Sequence, residues 1–159
     1  MTRAREIARI RQNGHDMAGT ATPRFFQDRY TECTIGMAGQ LAFAARYGFA
    51  ESPVKAEYGE LVDFVFSLGG EPHTIKIRTA RNPVYLLCKV CEMDDAADIL
   101  VLAYYYSETL IEFLGWAYKD EVAMGEKRNF GYGINNYTLP QSELRPMEEL
   151  RDILEERDA

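Results

Sequence analysis

Hydrophobic and polar residues alternate in two short stretches, residues 59–67 and 73–79, and this spacing predicts β-strands with a buried face. The mainly apolar residues 84–90 and 97–106 predict two further, buried strands, and residues 111–118 predict another. The first two are separated by the turn-forming sequence LGGEP and predict a hairpin. The last is expected to turn at Gly115 into a polar segment, and residues 130–140 are aromatic and turn-rich.

Two segments carry apolar residues at helical spacing. Residues 24–47 predict the first long helix, and the two glycines inside it, Gly36 and Gly39, each cost about 1 kcal/mol relative to alanine. Glycine at these positions therefore predicts close packing of the helix against a sheet. Residues 145–158 predict an amphipathic helix with Pro146 in its first turn. Its inward-facing residues are Met147, Leu150, Ile153 and Leu154.

The order of these elements is a helix, then several strands, then a helix, which predicts one α/β (α+β) domain. We expect a central mixed sheet of about four to five strands, flanked by the N-terminal helix and the C-terminal helix. Residues 1–159 form a single domain in this interpretation, with a core at about 24–120. Residues 1–23 form an N-terminal arm with a short helix at 3–12, and residues 121–159 form a C-terminal loop and helix.

The charge of the chain limits the classes of partner that we expect it to bind. The formal net charge is −7, so no chain-wide electrostatic attraction to nucleic acid is expected. Nine acids and only Lys119 lie between residues 92 and 126, and this segment is typical of a solvated or protein-facing surface. The sequence has no secretory signal pattern and no apolar run of about 18 residues, so we expect a cytoplasmic protein with no membrane contact.

The cysteines and histidines of the chain do not predict a disulfide framework or a metal site. The chain has three cysteines, and an odd number argues against a disulfide framework. Cys88 and Cys91 form a CxxC pair, but a structural zinc needs four ligands and no second pair is present. Buried thiols are therefore the expectation. The two histidines, His15 and His73, are expected to be structural or solvated.

The predicted hairpin gathers three charges on one face. By strand parity its core side holds apolar residues, which are Val62, Phe64, Phe66, Ile75 and Ile77. Asp63 points to the opposite side, as do Lys76 and Arg78. With the turn centred near Gly70, Asp63 pairs close to Ile77 and has both cations as neighbours across the strand. In the simplest interpretation this is a cross-strand charge cluster.

The order and wording of these segments resemble the PD-(D/E)XK nuclease superfamily, in particular its phage and bacterial members. The resemblance starts in the helix sequence TIGMAGQLAFAARYGF and continues in VDF, IKIRT, the AD-strand and GWA. It covers roughly residues 30–120. A restriction-endonuclease-like fold is what the resemblance implies. In that family a helix carboxylate, a strand Asp and an acid-x-Lys pair hold divalent cations, Mg²⁺ or Mn²⁺, for hydrolysis.

Carried over by position, the helix carboxylate of the family becomes Gln40, and the strand Asp remains as Asp63. The acid-x-Lys pair becomes Lys76 and Arg78. The departures remove negative charge, and an arginine cannot act as a base because it stays protonated. We therefore expect no catalytic residue, no cofactor and no metal here, with Asp63 the metal ligand if there is any.

Two functions follow from the resemblance and its departures. The first is a catalytically inactive nuclease-like protein, virus- or mobile-element-encoded, that acts by binding or assembly in the host cytoplasm or in a virion. Its partner is then a protein, a second copy of the chain, or an anion or nucleic acid at Lys76, Arg78 and Arg81. The second is an active metal-dependent nuclease with relocated ligands, for which Glu57, Glu60 and Glu71 lie near the hairpin.

Overall fold

The structure is a computed structural model that describes residues 26–50, 61–131 and 133–159, with side chains from residue 31 onward. The predicted helix at residues 3–12 and the N-terminal arm lie outside these residues. In chain order the helices are α1 (Phe26–Tyr47), α2 (Lys119–Ala123) and α3 (Met147–Glu155). The strands are β1 (Phe64–Leu68), β2 (Glu71–Ala80), β3 (Tyr85–Lys89), β4 (Ile99–Ser107), β5 (Leu110–Tyr118), β6 (Glu126–Asn129) and β7 (Asn135–Pro140).

The seven strands form two sheets, and the fold is mixed α/β as predicted. The first is a mixed four-stranded sheet of order β1-β2-β4-β5, in which β2 and β4 are parallel and the outer pairs are antiparallel. The second is an antiparallel three-stranded sheet of order β3-β7-β6. Short 3-10 helices follow β3 at Val90–Asp95 and β7 at Gln141–Glu143.

The β1–β2 hairpin is present, but its register differs by one residue from the predicted one. The turn is the pair Gly69 and Gly70, both at positive φ, so Leu68 pairs with Glu71 and Phe64 pairs with Ile75. Glycine tolerates these backbone angles without steric cost. Asp63 lies just before the first paired residue, and its side chain accepts the backbone N–H of Ile77. The predicted register of the paired residues was wrong because it assumed a turn centred on one residue instead of two.

The first sheet is buried on both faces. One face packs on α1 and α3 through a cluster of aromatic and aliphatic side chains that includes Phe43, Ile77, Val101 and Leu150. The other face packs on the second sheet and α2, in a separate cluster that includes Leu86, Leu102, Val122 and Leu139. Val62 belongs to this second cluster, not to the helix side as predicted, because it precedes the first paired residue of β1.

Helix α1 approaches β2 at one of its two internal glycines. A β-carbon at position 39 would overlap the Oγ1 atom of Thr79 on β2, so the helix can lie this close to the sheet only with glycine there. A β-carbon at position 36 would meet no atom within 4 Å. The expectation of close packing is therefore confirmed for Gly39 and is wrong for Gly36.

The C-terminal helix anchors the hairpin. Leu150 and Leu154 of α3 are buried, and Met147 and Ile153 pack against the same cluster, as predicted. Just beyond the helix, the carboxylate of Asp158 accepts hydrogen bonds from the backbone N–H groups of Gly69 and Gly70, at 3.1 and 2.9 Å. These bonds join the end of the chain to the β1–β2 turn, and so they help to fix the position of β2.

Several elements after β4 were not predicted. Residues 126–129 and 135–140 form β6 and β7, although the first is uniformly polar and the second begins with two asparagines. The predicted turn at Gly115 is wrong, because this residue lies inside β5. Glycine is required there by space, since a β-carbon would come within 2.6 Å of the β-carbon of Leu144.

Candidate functional site

Asp63 is a fully buried acid at the start of the first sheet, with 0% of its surface exposed. Its backbone N–H donates to the carbonyl of Ile75 at 2.8 Å. Its carboxylate Oδ2 accepts the backbone N–H of Ile77 at 2.9 Å, so the side chain continues the ladder of hydrogen bonds along β2. The sequence folds this way because Asp63 immediately precedes β1, where a short acceptor side chain can replace a missing backbone carbonyl.

The second carboxylate oxygen of Asp63 faces an ammonium group. Lys76 Nζ lies 3.4 Å from Asp63 Oδ1, and the lysine side chain is 13% exposed. The predicted ion pair between these two residues is therefore present, and it is largely removed from water. In such a setting the loss of one partner is costly because it leaves the other charge buried.

Arg78 does not reach Asp63, contrary to the prediction. Its nearest acid is Glu92 of the 3-10 helix, with Nη2 and Oε2 3.9 Å apart. Lys89 of β3 approaches the same carboxylate, with Nζ and Oε1 3.7 Å apart. Both separations exceed hydrogen-bonding distance. Arg78 lies instead near Glu92, which follows β3, and Lys89 at the end of β3 lies near the same carboxylate.

Gln40 lies on α1 directly after the glycine that contacts β2. Its side chain is 5% exposed, and its Oε1 atom has no hydrogen-bond partner among the described residues. On the neighbouring strand, the Oγ1 atom of Thr79 is also buried and unpartnered within the described ranges. A buried acceptor without a donor is unfavourable, so Gln40 and Thr79 each bury a polar oxygen whose hydrogen bonding is not satisfied by any described residue.

A cavity lies at the seam between the two sheets, beside Arg78. It has a volume of about 270 Å³, and the side chains around it include Arg78, Lys89 and Asn136. Arg81 is exposed in the turn after β2 and is not among the lining residues. Of the three predicted anion-binding residues, the structure thus places Arg78 at a cavity and pairs Lys76 with an acid. Sequence reasoning missed Lys89 because a lysine at a strand end reads as solvated.

The four positions carried over from the nuclease resemblance do not fit a divalent cation. Mg²⁺ and Mn²⁺ need several oxygen ligands, and the ammonium of Lys76 already faces the one carboxylate of the set. Arg78 adds a second positive charge on the same face of β2. Within the residues that the structure describes, no three His, Cys, Asp or Glu side chains are grouped to hold a metal.

The cysteine pair is split between two environments. Cys88 is buried between the sheets, and this burial raises the pKa of its thiol above the ordinary value, with Arg78 counteracting the rise. Cys91 lies in the 3-10 helix and is exposed, so the expectation of two buried thiols is wrong for this residue. Strand β3 ends at Lys89, and the chain therefore turns before Cys91 can enter the core.

Part of the acidic segment is engaged in internal contacts. The carboxylate of Asp98 accepts hydrogen bonds from the backbone and the hydroxyl of Thr74, at 3.0 and 3.1 Å. Glu121 accepts a 2.7 Å hydrogen bond from Arg145. Burial raises the pKa of Glu121, but the hydrogen bonds from Arg145 and from the Tyr118 backbone lower it more, so the net shift is downward. These acids therefore make contacts within the fold.

Comparison of the chain with protein-family models, with curated proteins and with solved structures gives no match. None of the helices described by the structure is both long enough and apolar enough to cross a membrane. The elements and sheets define a mixed α/β fold, and the site is interpreted from its own geometry.

Proposed function

We propose that this protein is a catalytically inactive, nuclease-like protein, encoded by a virus or a mobile element, that acts by binding or assembly. The observation that carries the proposal is the environment of Asp63. At the position where the resemblance places a metal ligand, the carboxylate is fully buried and is held by the Lys76 ammonium and the Ile77 N–H. An ion pair takes the place that a metal–carboxylate contact would have.

The neighbouring positions support the same proposal. Gln40 supplies a neutral amide where a carboxylate would be needed, and Arg78 is permanently protonated, so it cannot activate a water molecule. The partner is a protein, a second copy of the chain, or an anion or nucleic acid. Arg78 favours an anion because it is directed to a cavity that also contains Lys89.

The alternative is an active nuclease with relocated ligands. Of the three candidate acids, Glu71 is exposed at the far end of β2, five residues from Lys76. At the rise of a strand this is about 17 Å, too far to share a cation with Asp63. Glu57 and Glu60 lie outside the described residues. The unpartnered oxygen of Gln40 is the one observation that favours this alternative, because a cation would satisfy it.

The test is a cleavage assay on plasmid and single-stranded DNA with Mg²⁺ or Mn²⁺. It compares the natural protein with the triple variant Gln40→Glu, Lys76→Asp, Arg78→Lys, which restores the carboxylates and the lysine of the family pattern. We expect the natural protein to leave both substrates intact. Cleavage by the triple variant alone would support both the resemblance and the loss of the site.

Two controls make the assay decisive. Circular dichroism must show that the triple variant is folded, because the introduced acids at 40 and 76 bring buried negative charge. Asp63→Asn is assayed in parallel with the natural protein. Cleavage by the natural protein that disappears in Asp63→Asn would contradict the proposal and establish the alternative.

A further inference from the structure

The cavity beside Arg78 is lined by residues of both sheets. Its walls come from β2, β3, β4 and β7, and its volume is about 270 Å³. Leu87, Leu102 and the ring of Tyr85 form an apolar side, while Arg78, Lys89 and Asn136 supply polar groups. This volume lies just below the usual range for small-molecule sites, so the cavity suits a small ligand rather than a bare ion or a large cofactor.

One polar group at the cavity is a buried hydrogen-bond donor without an acceptor among the described residues. Arg78 Nε is buried and has no hydrogen-bond partner in the described part of the chain. Glu92 is the acid nearest to both Arg78 and Lys89, and it lies 3.9 and 3.7 Å from them, beyond hydrogen-bonding distance. A buried guanidinium nitrogen without an acceptor is costly, and a ligand that is rich in acceptors would remove this cost.

The local charge favours an anion. Two cations at the cavity share one carboxylate, which leaves a positive balance within a chain of net charge −7. Arg128 stacks over the Tyr85 ring at 4.7 Å from its centroid, but its guanidinium is paired with Glu126 at 2.9 Å, so it adds no net charge at the cavity. Arginine presents a planar set of donors that matches the oxygens of a phosphate.

We propose that this cavity binds the phosphate group of a small phosphate-bearing ligand, with Arg78 and Lys89 as the principal contacts. Asn136 donates a further hydrogen bond from β7, and the apolar side accommodates the group attached to the phosphate. This inference rests on the binding role proposed above and names its ligand class. Lys76 takes no part in it, because its ammonium faces Asp63.

The phosphate can come from a free phosphate ester or from the end of a nucleic-acid strand, and isothermal titration calorimetry on the full chain separates these sources. The probes are inorganic phosphate, adenosine monophosphate, adenosine, and one tetranucleotide with and without a 5′-phosphate. We expect saturable binding of the phosphate-bearing probes and none of adenosine. Tighter binding of the mononucleotide assigns the site to a free ester, and tighter binding of the 5′-phosphorylated strand assigns it to a strand end.

Variants locate the binding. Arg78→Met and Lys89→Met keep the aliphatic side-chain stem and are each expected to weaken binding of the phosphate probes at least about tenfold, because each removes a charge-assisted contact. Glu92→Gln is expected to strengthen binding, because it removes a competing negative charge. Arg151→Met on α3 is the matched control, since the acids that this exposed arginine contacts within the described residues, Asp152 and Glu155, lie outside the cavity. It should leave the affinity unchanged.

Three results would overturn the inference: no saturable binding of any phosphate probe, equal affinity in the natural protein and both methionine variants, or equal weakening by Arg151→Met. Amide chemical shifts of the natural protein provide a check that does not depend on the folding of variants. Shifts on addition of phosphate should concentrate at Leu87, Lys89 and Asn136. The two proposals can fail separately. Cleavage of DNA by the natural protein would contradict the proposed function, whereas absence of phosphate binding by an inactive protein would contradict only this site.

Discussion

The two faces of the first sheet differ in what they bury. The face toward α1 and α3 is built from aromatic and aliphatic side chains, with Phe43, Ile77 and Leu150 at its centre. The face toward the second sheet combines an apolar cluster with a row of charges, which includes Asp63, Lys76 and Arg78. Both faces are covered by other elements, so exposure does not account for the difference.

Strand β2 contributes to both faces, since its residues alternate between them. Ile75 and Ile77 face the helices, and Lys76 and Arg78 face the second sheet. Charged side chains that are only partly solvated need oppositely charged partners. Asp63 is the partner of Lys76, and Glu92 is the partner of Arg78. The helix face is therefore stabilised mainly by apolar packing, while the sheet face also holds charged groups in ion pairs. Four predictions test this division, from the largest expected effect to the smallest.

The largest effect is expected from truncation on the helix face. Ile77→Ala should lower the free energy of unfolding by about 2–5 kcal/mol, because it leaves a cavity among packed side chains. Its matched control on the sheet face, Arg78→Met, should change the free energy by less than about 1 kcal/mol, since its ion pair is long and partly exposed. Urea unfolding measures both. Similar losses for the two variants would contradict the division.

A smaller loss is expected from Lys76→Met, which removes the ammonium that faces the buried carboxylate of Asp63. We expect a loss of about 2 kcal/mol, below the usual cost of breaking a fully buried pair because the lysine retains some contact with water. The double variant Asp63→Asn, Lys76→Met removes both charges and should be more stable than Lys76→Met alone. Chemical denaturation of the two variants tests this order, and the reverse order would show that the pair contributes little.

The contact between α1 and β2 gives a pair of matched glycine variants. Gly39→Ala should destabilise the protein by about 1–3 kcal/mol, since the new methyl group overlaps Thr79 and the helix must move away. Gly36→Ala lies in the same helix with no atom within 4 Å of the new group, so it should stabilise by up to about 1 kcal/mol. Thermal unfolding of the two variants should shift in opposite directions.

The last prediction perturbs the protein least and concerns the reactivity of the two cysteines of the CxxC pair. They are labelled chemically in the variant Cys33→Ser, which removes the third cysteine. Cys91 should react with a thiol reagent at least about tenfold faster than Cys88, because exposure and a thiolate govern the rate. Cys88 is buried between the sheets, and its raised pKa further lowers its thiolate fraction at neutral pH. Mass spectrometry of timed samples measures both rates. Equal rates would mean that the second sheet does not cover the first as described.

The sequence predicted the helix side of the fold better than the sheet side. The alternation around Ile75 and Ile77 and the helical spacing of Leu150 and Leu154 each depend on a burial pattern that repeats locally, and the structure bears them out. Strand β6 has no such pattern, because all four of its residues are polar. It forms by pairing with β7, which follows it closely in the chain, and this pairing uses backbone groups that leave no alternation of apolar residues in β6.

The candidate site shows the same limit. The pair of Asp63 and Lys76 could be predicted because a hairpin brings its own residues together. The partner of Arg78 could not, since Glu92 lies on a 3-10 helix beyond the next strand. Lys89 and Asn136 meet Arg78 only through the packing of one sheet on the other, so the cavity has no local sequence signature.

The most direct test of the central claim is a titration of the natural protein with Mn²⁺, followed by water-proton relaxation, with Lys76→Asp and Asp63→Asn as comparisons. The account predicts no saturable binding at position 63 of the natural protein, because the Lys76 ammonium already faces that carboxylate. Lys76→Asp should gain binding, since it replaces the cation with a second carboxylate. Saturable Mn²⁺ binding by the natural protein that is lost in Asp63→Asn would contradict the claim that this site has lost its metal.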